Sequence, residues 1–122
     1  LFETGSTNIG LKGKKELERL AAILIDIEKS LPKDINWILQ IEGHTDNLPV
    51  KKGQTFVDNW ELSTERALSV LRFFINNGLD PKRLSASGYG SFQPLEKGGK
   101  ANSRSKNRRI EMKITQKLGL ID

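Results

Sequence analysis

The chain has no cysteine among its 122 residues, which removes disulfide frameworks, thiol catalysis and zinc-cysteine sites together. The compartment stays open, because exported bacterial domains also lack cysteine. There is one histidine, His44, and the acids around it are scattered without metal-ligand spacing. A structural hydrogen-bonding role is therefore expected for it, with neither metal nor cofactor. Prolines number 4, hydrophobic residues make up 36% and charged residues 29%, a balance that excludes a disordered chain. No stretch approaches the ~20 apolar residues of a membrane span, and the opening LFETGSTNIG lacks the basic start and apolar run of a signal peptide. The abrupt apolar start at Leu1 and Phe2 reads instead as an excised domain, with any membrane contact made through a missing N-terminal part.

What is present fits one domain, long enough to bury a core without staples. The net charge is +5 with a pI near 9.6, which favours anionic surroundings. Its only dense basic patch is Arg104, Lys106, Arg108 and Arg109, expected to be a solvated loop. Together with the aromatics Tyr89 and Phe92, that patch makes a basic nucleic-acid-binding module the rival function. Stacking platforms, however, interleave aromatics with bases along strands, and the strands here carry aliphatics.

Leu17, Leu20, Ala21, Leu24 and Leu31 recur at helical period, predicting a helix over 11–30 that Pro32 stops. Trp37, Leu39 and Ile41 alternate with Ile38, Gln40 and Glu42, the period of a strand over 36–43. Residues 45–57 have no periodicity and form a loop at its exit, where sites tend to lie. Asp58 followed by Glu61 resembles a capping box, so a second helix starts near Asp58 or Asn59 and closes at Asn77 before Gly78 and Pro81. Residues 83–88 read as a short strand and 110–115 as a last one, with a flexible polar loop over 91–106 between them. With Leu1 and Phe2 as a weak first strand, the order is strand, helix, strand, helix, strand, strand. That order implies an α/β two-layer sandwich whose mixed parallel and antiparallel sheet is covered by helices.

Placed on a helix at about 100° per residue, Leu62, Ala67, Val70, Leu71, Phe73 and Phe74 share one broad sector, and Arg66 falls inside it. A cation flanked by core-facing residues needs an anionic partner. Two are open: a structural salt bridge to Asp46 or Glu42, or a ligand carboxylate gripped by the guanidinium fork and helped by the amides of the helix start. In the second case Asp46, at the strand exit, takes a ligand ammonium. His44, Asp46 and Ser63 also supply the residue types of a hydrolase triad. Ser63, though, sits within a helical pattern with no strained elbow or glycine-rich oxyanion segment, so no enzyme is expected.

The segments IEGHTDN, DNWELSTERALSV, LSASGYGSFQP and NRRIEMKI, in that order, resemble the C-terminal peptidoglycan-binding domain shared by OmpA, Pal and MotB proteins. The tryptophan of NWELS places the chain closer to the MotB-type branch. The resemblance covers roughly residues 1–114 and implies non-catalytic binding of peptidoglycan through the meso-diaminopimelate of its stem peptide. It further implies a Gram-negative periplasmic location in a protein tethered to a membrane, with a possible homodimer. By the same resemblance Asp46 of the HTD motif receives the ammonium and Arg66 of the LSxxRA motif grips the carboxylate. Asn59 completes the hydrogen bonds, Thr45 and Leu62 shape the wall, Thr4 and Gly5 supply backbone contacts, and Asn107 and Arg108 close or brace the pocket. The loop between Asp46 and Asn59 is longer than in the Pal and OmpA forms, which leaves Lys51, Lys52 and Phe56 without a role.

Overall fold

The computed structural model describes residues 1–2 and 5–116. Helix α1 spans Leu11–Ser30, strand β1 Trp37–His44 and helix α2 Asn59–Asn76. A 3-10 turn at Pro81–Arg83 leads into β2, Leu84–Gly88, followed by helix α3, Ala101–Asn107, and strand β3, Arg109–Gln116. The sheet runs β2-β1-β3, with β1 parallel to β2 and antiparallel to β3. The expected α/β sandwich with a mixed sheet is therefore the fold, and its helical layer is laid down by the β1-α2-β2 crossover that a parallel pair requires.

Two details of the expected order change. Leu1 and Phe2 contribute no sheet strand; Phe2 makes a single isolated bridge to Ile9, too short a pairing to extend the sheet. The 91–106 stretch is not one loop, because residues from Ala101 onward form α3. Its one helical turn or two carries no apolar stripe, so periodicity could not announce it.

The alternation in β1 decides the layers. Trp37, Leu39 and Ile41 face Leu17, Ala21 and Leu24 of α1 and Ala67, Val70 and Phe74 of α2 in the buried core. Opposite them, Gln40 donates to Ser87 Oγ at 3.1 Å and Glu42 is bonded by Tyr89 and Lys113, so the other face is polar. Asp58 caps α2, its Oδ1 accepting from the Glu61 amide at 2.8 Å, and Gly78 closes it at φ +101 as a left-handed glycine should. α2 lies very close to the sheet. A Cβ on Gly43 would collide with the Ser63 carbonyl, and one on Gly88 would lie 2.7 Å from Ser63 Oγ. Among the described residues no helix is long and apolar enough to cross a membrane.

Candidate functional site

β1 ends by delivering His44, Thr45 and Asp46 to the edge of the sheet. Thr45 is held by its amide, which donates to Gly90 O at 2.9 Å, and by its hydroxyl, which donates to Asp46 O at 3.0 Å. The Asp46 carboxylate is almost fully enclosed. Its Oδ1 accepts from the Leu48 amide at 2.9 Å, and its Oδ2 accepts from Arg108 Nη1 at 2.7 Å. Asn59, the first residue of α2, donates to Leu48 O at 3.0 Å and to Asp46 O at 3.5 Å, tying the long loop to the helix start.

One and two turns further along α2, Leu62 and Arg66 complete a second wall. Arg66 is 3% exposed, as its place among core-facing residues predicts. Its Nε donates to Ser6 O at 3.0 Å, and its guanidinium carbon lies 5.3 Å from the centre of the Phe2 ring. Burial pushes its pKa down from the ordinary guanidinium value, with Asp46 opposing that shift and Arg108 adding to it. Asp46 is thus close enough to act on Arg66 electrostatically, while its ion pair is made with Arg108. Among the described residues Asp46 makes its ion pair with Arg108 rather than with Arg66, because Arg108 directly precedes β3, whose first residue pairs with His44 at the end of β1.

These walls enclose a cleft of about 320 Å³. Gly5, Thr45, Asp46, Asn59, Leu62, Arg66 and Arg108 all line it. Asn107 does not. It is buried beneath the loop that precedes α3, where Oδ1 accepts from the Leu95 and Glu96 amides and Nδ2 donates to Glu96 O, so it braces rather than closes. Thr4 lies outside the described residues. The loop over 47–58 builds the remaining wall with Leu48, Pro49, Val50, Lys51, Gln54 and Phe56. Sequence reasoning gave Lys51 and Phe56 no place, and no periodicity could have done so. Ser6 was missed for the same reason, its contribution being a backbone carbonyl.

Other constellations resolve against chemistry of their own. Ser63 Oγ is fully buried, donates to Trp60 O at 3.0 Å and accepts from the Gly90 amide at 3.0 Å. Among the described residues neither nitrogen of His44 has a hydrogen-bond partner, so His44 and Ser63 are not hydrogen-bonded to each other. The hydrogen-bonding role expected of His44 is corrected: its ring stacks on Tyr89, 5.0 Å between centroids and 5° from parallel. Nε2 lies 3.1 Å from a Glu111 oxygen without hydrogen-bonding alignment. Glu42, His44 and Glu111 do bring one ligand atom each within 4.8 Å of one another. Lys113 already pairs with Glu42 and Arg109 with Glu111, so a bound cation would have to displace a neutralising charge.

The basic patch sits on α3 and the start of β3 rather than on a loop, and its cations pair within the fold while staying partly solvated. Arg104 donates to Gly99 O and Lys106 pairs with Glu96 at 2.6 Å. Arg108 holds Asp46, and Arg109 bonds Glu111 and Gln93 O. Cations already paired within the fold make a poor phosphate-binding stripe.

The profile of the OmpA family matches residues 1–108. Motility protein B of Bacillus subtilis is 47% identical over 75 residues, which is 61% of this chain and 28% of that protein. A peptidoglycan-associated lipoprotein of Buchnera aphidicola is 35% identical over 91 residues, covering 75% of this chain and 50% of that protein. Among solved structures, the C-terminal domain of Helicobacter pylori MotB superposes with a TM-score of 0.81 at 30% identity, over 94% of this chain and 82% of that one. The chain spans half or less of the length of the two relatives compared by sequence.

Proposed function

The chain belongs to the OmpA family, and from that premise and the cleft we propose that it binds peptidoglycan without catalysis, anchoring a larger envelope protein to the cell wall. The observation that carries this is the presence of Asp46 and Arg66 in one cleft. An acid and a base held by separate elements suit a zwitterion, and the meso-diaminopimelate of a stem peptide presents an ammonium and a carboxylate on one carbon. In this proposal Arg66 grips the carboxylate as a fork. Asp46 shares its remaining lone pairs with the ammonium, while Arg108 fixes the orientation of Asp46. Thr45, Asn59, Leu62 and Gly5 shape the surrounding wall. A simple amine or simple acid satisfies only one of the two charges, so orientation and selectivity come together.

Two relatives named for motility or for peptidoglycan association support the reading. Because similar proteins occur in Bacillus subtilis as well as Helicobacter pylori, the proposed location is the envelope outside the cytoplasmic membrane, rather than a Gram-negative periplasm in particular. Charge-assisted hydrogen bonds contribute roughly 1.5–3 kcal/mol each, so one site binds weakly to moderately.

Co-sedimentation with purified peptidoglycan tests the proposal. Native domain is expected in the pellet, with strong loss for Asp46→Asn and Arg66→Lys, and free diaminopimelate should compete. Arg66 is also tied to Ser6, so thermal melting accompanies each variant. Variants that melt as the native domain does and still sediment would overturn the site.

A further inference from the structure

Glu42 and Glu111 stand directly opposite each other across the antiparallel β1–β3 pair. Like charges at a cross-strand position repel. Both lie on the sheet face turned away from the helices, which also carries His44 two residues beyond Glu42. His44 is the feature of this face that packing leaves unexplained. Its side chain is 1% exposed, and among the described residues neither ring nitrogen has a hydrogen-bond partner. An imidazole buried in that way gives up its hydration uncompensated.

Nε2 is the nitrogen that faces the two acids. It lies 3.1 Å from Glu111 Oε2 and 4.0 Å from Glu42 Oε1, and one donor atom from each of the three residues falls within 4.8 Å of the others. A tetrahedral zinc ion bound at about 2.1 Å holds neighbouring nitrogen and oxygen ligands roughly 3.4 Å apart, so small rotations of the carboxylates close the set. Glu111 has that freedom, with 47% of its side chain exposed. The existing bonds also leave a place for the ion. Tyr89 and Lys113 both hold Glu42 through Oε2, not through the Oε1 that lies toward His44. Arg109 holds Glu111 Oε2 while donating to Gln93 O as well, and a ligating carboxylate keeps such a hydrogen bond. The charge that gives way is Lys113, whose 55% exposed side chain can turn into water. Sequence spacing showed no metal set because the third ligand comes from β3.

We propose that Glu42, His44 and Glu111 form a binding site for a divalent transition-metal ion of the zinc class. None of the three lines the cleft, and the inference does not depend on what the cleft binds. One imidazole nitrogen with two carboxylate oxygens suits zinc and its neighbours better than calcium or magnesium, which take oxygen ligands. Three protein ligands leave a fourth position for water. The ion neutralises the facing glutamates, gives the buried nitrogen its partner and clamps β1 to β3 at the end where Arg108 meets Asp46.

Titration of the tag-free chain with zinc chloride, followed by calorimetry and by NMR of the imidazole, tests the site. His44 is the only histidine, so its ring signals report ligation directly. One zinc per chain is expected, with those signals shifted and with excess magnesium unable to compete. Glu111→Gln should weaken binding roughly tenfold or more. Lys113→Met should tighten it about two- to fivefold by removing the competing ammonium. Absence of zinc binding by the native chain overturns the site, as does binding that leaves the imidazole signals in place or that magnesium reverses. A Glu111→Gln chain that binds as tightly as the native one, or a Lys113→Met chain that binds no more tightly, overturns it as well.

Discussion

The imidazole of His44 is almost fully buried between Tyr89 and the charged ends of Glu111 and Arg109. Burial holds its pKa below the ordinary value of 6.5, Arg109 adds to the shift, and Glu111 and Glu42 oppose it. The unfolded chain takes up that proton near pH 6.5, while the folded chain refuses it until a lower pH. The unfolded state therefore binds more protons in that window, and the His44 contribution to stability is lost as pH falls below 6.5. Above 6.5 it is flat. Urea denaturation at pH 7 and pH 5 is expected to show a smaller acid loss for His44→Gln than for the native chain. Equal losses would mean that the ring is charged in the fold. At the same scale the sequence was clearest about Arg66, whose charge interrupts an apolar sector, whereas Arg108 was named only as closing or bracing the pocket, without the aspartate it meets.

At the scale of elements, α2 does most to build the site. Its cap at Asp58, its buried stripe and its glycine stop were all legible, because each is written in residues within one or two turns of one another. How closely it lies on β1 was not legible, and Gly43 is where that matters. A methyl at Gly43 meets the Ser63 backbone rather than a side chain that could swing away, so helix and strand must separate. Gly43→Ala is expected to cost about 3 kcal/mol or to prevent folding, read as the shift of a chemical denaturation curve. Gly53→Ala, at a position with nothing within 4 Å, is the contrast on open surface, although its φ of +82 makes it mildly strained. Similar costs at the two positions would contradict the close helix-strand contact. α3 escaped sequence reasoning because a helix of 7 residues offers too few turns for a period to emerge. Its purpose is visible only in the Asn107 and Lys106 bonds that fold the 95–96 backbone back onto it.

For the molecule as a whole, the proposed function implies that a single weak site attaches firmly only when several domains act together on a repeating polymer. Two copies of this chain joined by a flexible linker that spans neighbouring stem peptides are expected to be retained on peptidoglycan about a hundredfold more strongly than one copy. The free diamino acid should bind each copy with unchanged affinity. Retention no better than the single chain would argue that the two clefts cannot engage one wall together.

The sequence by itself determined the elements of local origin: the α1 stripe, the β1 alternation, the α2 cap and stop, and the buried charge at Arg66. It also carried the motifs that the OmpA family profile matches. Only the tertiary structure decided that Asp46 pairs with Arg108, 62 residues away, that the 47–58 loop supplies half the cleft wall, and that Glu111 meets Glu42 and His44. The physical reason is common to all three. Helix and strand periods record how a residue faces its own element, whereas a contact between remote segments depends on sheet register and loop closure, which leave no period in the chain.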